Sequence, residues 1–203
     1  MNIPSIELLF PTPVMRNSMD REFTVEELAA VSDHYKKAHN NRGNIVSDAT
    51  YVLNEEPFLA LKRVCLDHVN EYIKTICKPR YEVQPYITQS WLNWTGTNQY
   101  HHEHAHPNSF ISGVLYINAG DNDKIKFFGN RYKQIQLETD SYDVFNSDSW
   151  WFNVKTGGII LFPSSLVHSV ETVTSPETRI SLAFNTFIKG TFGETIELSE
   201  LKL

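Results

Sequence analysis

The chain has 203 residues, 41% of them hydrophobic, and a net charge of −6. That length suits one domain with a sizeable core, and an acidic balance without a long basic run argues against wholesale nucleic-acid binding through phosphates. No stretch reaches the roughly 18 apolar residues of a membrane span, and MNIPSIELLFPTPVMRN lacks the basic start and unbroken apolar core of a signal peptide, so the chain reads as cytoplasmic.

Thr24-Val25-Glu26-Glu27 offers an N-cap with a glutamate at the third helical position, a capping box. It predicts a helix from Val25 to about His39, broken by NNRGN. Residues 45–56 read as irregular. A second helix is predicted to start near Pro57, a residue suited to a first turn. Phe58, Leu61, Val64, Cys65, Val69, Tyr72, Ile73 and Ile76 recur at helical spacing until Lys78-Pro79. Cys65 and Cys77 stand twelve residues apart in it. A rise of about 1.5 Å per residue puts them beyond disulfide reach, so both read as buried, reduced thiols in a reducing compartment.

From residue 81 the period changes to strands. YEVQPYITQSWLNWT alternates and is rich in aromatic and β-branched residues, and SFISGVLYINA ends at the turn AGDND. KIKFFG, SWWFNV, IILFP, HSVETV and RISLAFNTFI follow, with turn signals between them. Many short strands suggest a β-sandwich or barrel, with the two N-terminal helices covering one outer face. The fold class is mainly β (α+β). Residues 129–149 lack clear periodicity and carry Glu138, Asp140, Asp143 and Asp148. Such a connection is either a lid or a solvated excursion.

Four of the eight histidines fall in His101-His102-Glu103-His104-Ala105-His106. Like imidazolium charges repel, so such crowding points to a shared metal. In a regular strand alternate side chains share a face, which puts His102, His104 and His106 on one side and His101 and Glu103 on the other. Two ligand pairs compete. His101 with Glu103 matches half of a two-histidine, one-carboxylate Fe(II) triad; His104 with His106 supplies imidazole twice. A further ligand must come from afar, and His168, at the start of a strand, is the only histidine C-terminal to the cluster. Arg179 and Ser181 are spaced by two on the next strand, so they face the same way and can hold a carboxylate.

The order His-X-His, then GGIILFPSSLVHSV, then RISLAFN resembles the Fe(II)- and 2-oxoglutarate-dependent oxygenases. The stretches HAHPNSFISGVLYI, LLFPTPV and SWLNW are similar to a branch of that superfamily found in bacteria and phages. The likeness covers residues 8–188. It implies a double-stranded β-helix, or jelly roll, with residues 1–203 one domain: a helical part over 1–80 and a jelly-roll core over 81–190. It implies His104 and His168 as iron ligands, with His106 at the second position, where the superfamily carries Asp or Glu. Glu103 is the reserve candidate, and His101, His102 and Glu103 otherwise fall on the rim. Arg179 with Ser181 matches the group that holds the distal carboxylate of 2-oxoglutarate. Asn93 is a candidate donor to the co-substrate, and Trp91 and Tyr116 are candidates for the pocket wall. No catalytic group is implied beyond the metal centre.

The implied reaction is dioxygenation. Fe(II), O2 and 2-oxoglutarate yield succinate and CO2, and the substrate is hydroxylated. A three-histidine site is more cationic than one with a carboxylate and favours the dianionic co-substrate. The primary substrate is a peptide side chain, by analogy with prolyl hydroxylases, or a small metabolite. Jelly-roll oxygenases often dimerise, which adds a homodimer to the partners implied. Two other readings compete: a cupin-like three-histidine metalloenzyme without 2-oxoglutarate, and a non-catalytic jelly-roll binding or structural protein.

Overall fold

In the computed structural model, which describes residues 4–129, 135 and 137–203, a short strand, β1 (Met15–Ser18), precedes the first helix, α1 (Val25–Tyr35). The capping box forms as expected. The Thr24 hydroxyl accepts from the Glu27 N–H at 3.2 Å, and the Glu27 carboxylate accepts from the Thr24 N–H at 2.9 Å. Glu27 is buried and receives the Arg21 guanidinium on both oxygens. The helix ends at Tyr35, short of the expected His39, because the chain turns into β2 (His39–Asn40). Residues 45–56, expected to be irregular, contribute β3 (Ile45–Val46), too short to show a period, and a 3-10 turn at Val52–Asn54.

A second 3-10 turn, Glu56–Phe58, leads into α2 (Leu59–Tyr72), extended by a π-helical turn, Ile73–Cys77. Lys78, at a left-handed φ of 46°, stops it. Phe58, Leu61, Cys65, Val69 and Tyr72 form the buried stripe. Cys77 is exposed, which corrects the expectation for it. It ends the π-helical turn, past the last residue of the buried stripe.

The remaining strands are β4 (Val83–Thr95), β5 (His101–His104), β6 (Ile111–Asn118), β7 (Lys124–Phe128), β8 (Ser149–Asn153), β9 (Gly158–Pro163), β10 (His168–Val170), β11 (Arg179–Phe192) and β12 (Leu201–Lys202). Among the described residues they form two antiparallel sheets. One runs β1-β9-β6-β11-β4-β3-β2, with β12 on the end of β11; the other runs β5-β10-β7-β8. The two facing sheets are the double-stranded β-helix. Of the connection over 129–149, residues 130–134 and 136 lie outside the described residues; the described part is largely exposed and turns on Asp143.

Alternation on the larger sheet separates two cores. Leu92, Leu115, Leu161, Leu182 and Phe184 join the helices in one cluster. Val114, Tyr116, Ile160 and Phe162 meet Ile125 and Phe127 of the smaller sheet in the other. On β11 the residues at Arg179, Ser181, Ala183 and Asn185 alternate with Leu182 and Phe184, so the polar row shares the inter-sheet side. Gly113 lets this layering close. A Cβ there would stand 2.1 Å from the Phe184 ring.

Candidate metal centre

His104 lies opposite His168 in the β5–β10 pairing, and the register then slips before His101 meets Val170. His106 lies beyond the end of β5, fixed by its backbone N–H, which donates to the Ser164 carbonyl at 2.9 Å. Together these bring ring nitrogens of His104, His106 and His168 within 4.8 Å of one another. The Nε2 atoms of His106 and His168 are 3.3 Å apart. Two nitrogens on one ion at about 2.1 Å stand roughly 3.0–3.4 Å apart for right-angled or tetrahedral geometry, so the spacing fits a metal.

The chemistry of the rings fits as well. Nδ1 of His104 donates to the His102 carbonyl at 2.8 Å, and Nδ1 of His168 donates to the Leu166 carbonyl at 3.0 Å. Each bond leaves a lone pair on Nε2. Burial, aided by the neighbouring rings, pushes His168 down to about 3 and His106 to about 4, and lowers His104 too. At neutral pH all three are uncharged imidazoles, the form that ligates.

The slip in register overturns strict alternation. His101, expected on the opposite face from His104, stacks on it at 4.5 Å and lines the same pocket. His101, His102 and His104 form a second group whose nitrogens converge within 4.8 Å. It shares His104, and Nδ1 of His102 is buried without a partner. Glu103 is exposed and belongs to neither group.

Arg179 and Ser181 line the same pocket as the three histidines, with Trp91 and Asn93. Arg179 is 3% exposed, donates to the Lys124 carbonyl at 2.8 Å, and lies 5.0 Å above the Tyr116 ring. It has no ion pair among the described residues. The Tyr116 hydroxyl beside it is buried without a hydrogen-bond partner, and burial raises it to about 12. A buried cation and an orphaned donor together suit a carboxylate. Asn93 accepts from Asn44 at 3.3 Å. The enclosed space is about 30 Å³, room for a water or two, so a five-carbon diacid needs the lining side chains to move apart. Outside, an open groove of about 720 Å³ reaches His106, Trp91 and Asn185 from Tyr51, Gln89 and Asn108.

Residues 89–185 match the family model described as "Putative 2OG-Fe(II) oxygenase". That segment, just under half of the chain, is similar to the 2OG-Fe(II) oxygenase family. The match points to an enzyme of the 2-oxoglutarate-dependent oxygenase class, with Fe(II) and 2-oxoglutarate as cofactors. Solved structures carry the same fold. An oxidoreductase of this family from Burkholderia pseudomallei aligns at TM-score 0.52 and 16% identity, over 80% of this chain and 78% of that one. A Pseudomonas putida prolyl-4-hydroxylase aligns at 0.53 and 13%, over 86% and 92%. HygX from Streptomyces hygroscopicus, with nickel, 2-oxoglutarate and hygromycin B bound, aligns at 0.56 and 11%, over 86% and 82%. No curated protein matches the chain. No helix among the described residues is long and apolar enough to cross a membrane.

Sequence reasoning missed one group. The Asn185 amide lies 3.4 Å from Nδ1 of His106 and bonds Ser112, which leads to Ser164 and Ser109. Asn185 shares parity with Arg179 and Ser181, so the two-residue period already pointed at it.

Proposed function

We propose that the protein is an Fe(II)- and 2-oxoglutarate-dependent dioxygenase that hydroxylates a substrate carbon and releases succinate and CO2. One observation carries the reading: uncharged His104, His106 and His168 and the unpaired, buried Arg179 line one narrow pocket. When bound, iron with 2-oxoglutarate supplies the oxidising chemistry, one atom of O2 entering succinate and the other the substrate.

The protein's part is to hold and orient. His104, His106 and His168 would hold the iron, with the first and last rings fixed by backbone carbonyls. With no carboxylate among them, the three neutral rings would leave the full dipositive charge of a bound metal to attract the dianionic co-substrate. Arg179 would take the distal carboxylate with its planar fork, helped by the Ser181 and Tyr116 hydroxyls. Asn93, on the pocket wall, would offer a further polar contact. Residues Phe162, Val114 and Ile125 exclude water from the space between.

The primary substrate would lie in the outer groove. Neutral polar and aromatic side chains dominate its lining, which contains no Lys or Arg among the described residues. That suits a peptide side chain or a small polar metabolite and disfavours nucleic acid.

The test is O2-dependent succinate formation by protein loaded anaerobically with Fe(II) and 2-oxoglutarate. Wild type is expected to form succinate, and Arg179→Ala to form almost none at the same 2-oxoglutarate concentration. Oxygen consumption that is indifferent both to 2-oxoglutarate and to Arg179→Ala would instead favour a three-histidine metalloenzyme. Native protein lacking stoichiometric metal and activity would favour a binding or structural jelly roll.

A further inference from the structure

The polar chain behind His106 can be hydrogen-bonded completely in two directions. Nδ1 of His168 donates to the Leu166 carbonyl, so Nε2 of His168 is a lone pair. The 3.3 Å contact between the two Nε2 atoms is then a hydrogen bond only if His106 carries its proton on Nε2. Nδ1 of His106 is then an acceptor, and the Asn185 NH2 donates to it across 3.4 Å. The rest follows in one direction. The Ser112 hydroxyl donates to Oδ1 of Asn185 at 2.8 Å, Ser164 donates to Ser112 at 2.8 Å, Ser109 donates to Ser164 at 2.7 Å, and the Thr186 N–H donates to Ser109 at 3.3 Å.

A metal shared with His104 and His168 needs a lone pair on Nε2 of His106. The proton must then sit on Nδ1, which requires an acceptor. Asn185 supplies one if its amide turns over. Its NH2 then donates to Ser112, Ser112 to Ser164, Ser164 to Ser109, and Ser109 to the Thr186 carbonyl, 3.2 Å away. Every side-chain link reverses, the Thr186 N–H stays on Ser109, and every group stays satisfied. The ring loses one proton from Nε2 and gains one on Nδ1 by exchange with solvent, so its charge is unchanged. Ser112, Ser164, Asn185 and Thr186 are all buried, where a half-satisfied chain is disfavoured, so the links switch together.

We propose that Asn185, through Ser112, Ser164 and Ser109, is a positioning residue that sets the tautomer of His106: Nε2–H without metal, Nδ1–H with it. This rests on the reading of His104, His106 and His168 as the metal ligands, and goes beyond it by giving His106 a two-state partner where the other two rings have fixed carbonyls.

The test is long-range 1H–15N correlation of the histidine rings in 15N-labelled full-length protein, metal-free and then with one equivalent of diamagnetic Zn(II). Metal-free His106 is expected as Nε2–H while His104 and His168 are Nδ1–H; zinc is expected to turn His106 to Nδ1–H. Zinc on His104 and His168 with His106 keeping Nε2–H would overturn the switch, as would Nδ1–H on His106 before zinc. Zinc leaving all three rings unchanged would overturn the metal-centre reading, and the switch with it. Asn185→Asp, a fixed acceptor, is expected to hold Nδ1–H without metal and to tighten Zn(II) binding about tenfold, and Asn185→Leu to weaken it by about 10–100-fold. Equal zinc affinity in both folded variants would overturn the role of Asn185.

Discussion

Arg179 is buried beside the Tyr116 ring with one backbone carbonyl as its hydrogen-bond partner and no acid against it among the described residues. A buried cation without an anion carries an uncompensated desolvation cost of roughly several kcal/mol, which a well-fitted apolar side chain does not. Arg179→Met is therefore expected to raise the melting temperature of the metal-free protein while weakening 2-oxoglutarate binding. Two charge-assisted bonds lost at about 1.5 kcal/mol each give about 3 kcal/mol, or ~100-fold in affinity. Calorimetry and thermal denaturation check the pair of effects; unchanged 2-oxoglutarate affinity would contradict the carboxylate role. At this scale the sequence made Arg179, Ser181 and His168 visible through motif order and the two-residue period. His101 was misplaced because alternation presumes an unbroken strand, and the slip between His168 and Val170 has no signature in the one-letter string. Asn185 was overlooked because an amide in an apolar strand looks like ordinary packing until its partner is known.

Strands and helices were more legible, because each presents a period that burial enforces. The apolar stripe of α2 and the alternation of β4, β6 and β11 both appear in the cores they were read to form. Short elements escaped: β2 and β3 have two residues each, below any period. Gly113 is where elements meet most tightly. Its strand crosses the fully buried Phe184 ring, and the Leu161 side chain stands 2.6 Å from where a Cβ would lie. Since both neighbours belong to a packed core, neither can yield without displacing others. Gly113→Ala is expected to destabilise by about 1–3 kcal/mol through overpacking. A lowered urea midpoint with unchanged slope would show it; an unchanged midpoint would mean that the layers are looser than this packing implies.

Across the whole molecule the clustered histidines couple stability to pH. Burial holds His101 and His168 at about 3 and His106 at about 4, whereas an unfolded chain titrates near 6.5. Above about 6.5 neither state binds these protons, and they add no pH dependence. As pH falls from about 6.5 towards 4, the unfolded chain takes them up and the folded one does not, so metal-free stability falls. Thermal denaturation from pH 7 to 4 should show that loss, and His101→Leu should flatten it; equal slopes would contradict the burial of His101. The claim that joins these scales is that three imidazoles and an arginine hold iron and 2-oxoglutarate in one space. Its most direct test is the anaerobic visible spectrum on adding Fe(II) and then 2-oxoglutarate. A weak charge-transfer band is expected in wild type and not in His168→Ala. No band in wild type, or an undiminished band in His168→Ala, would contradict the account.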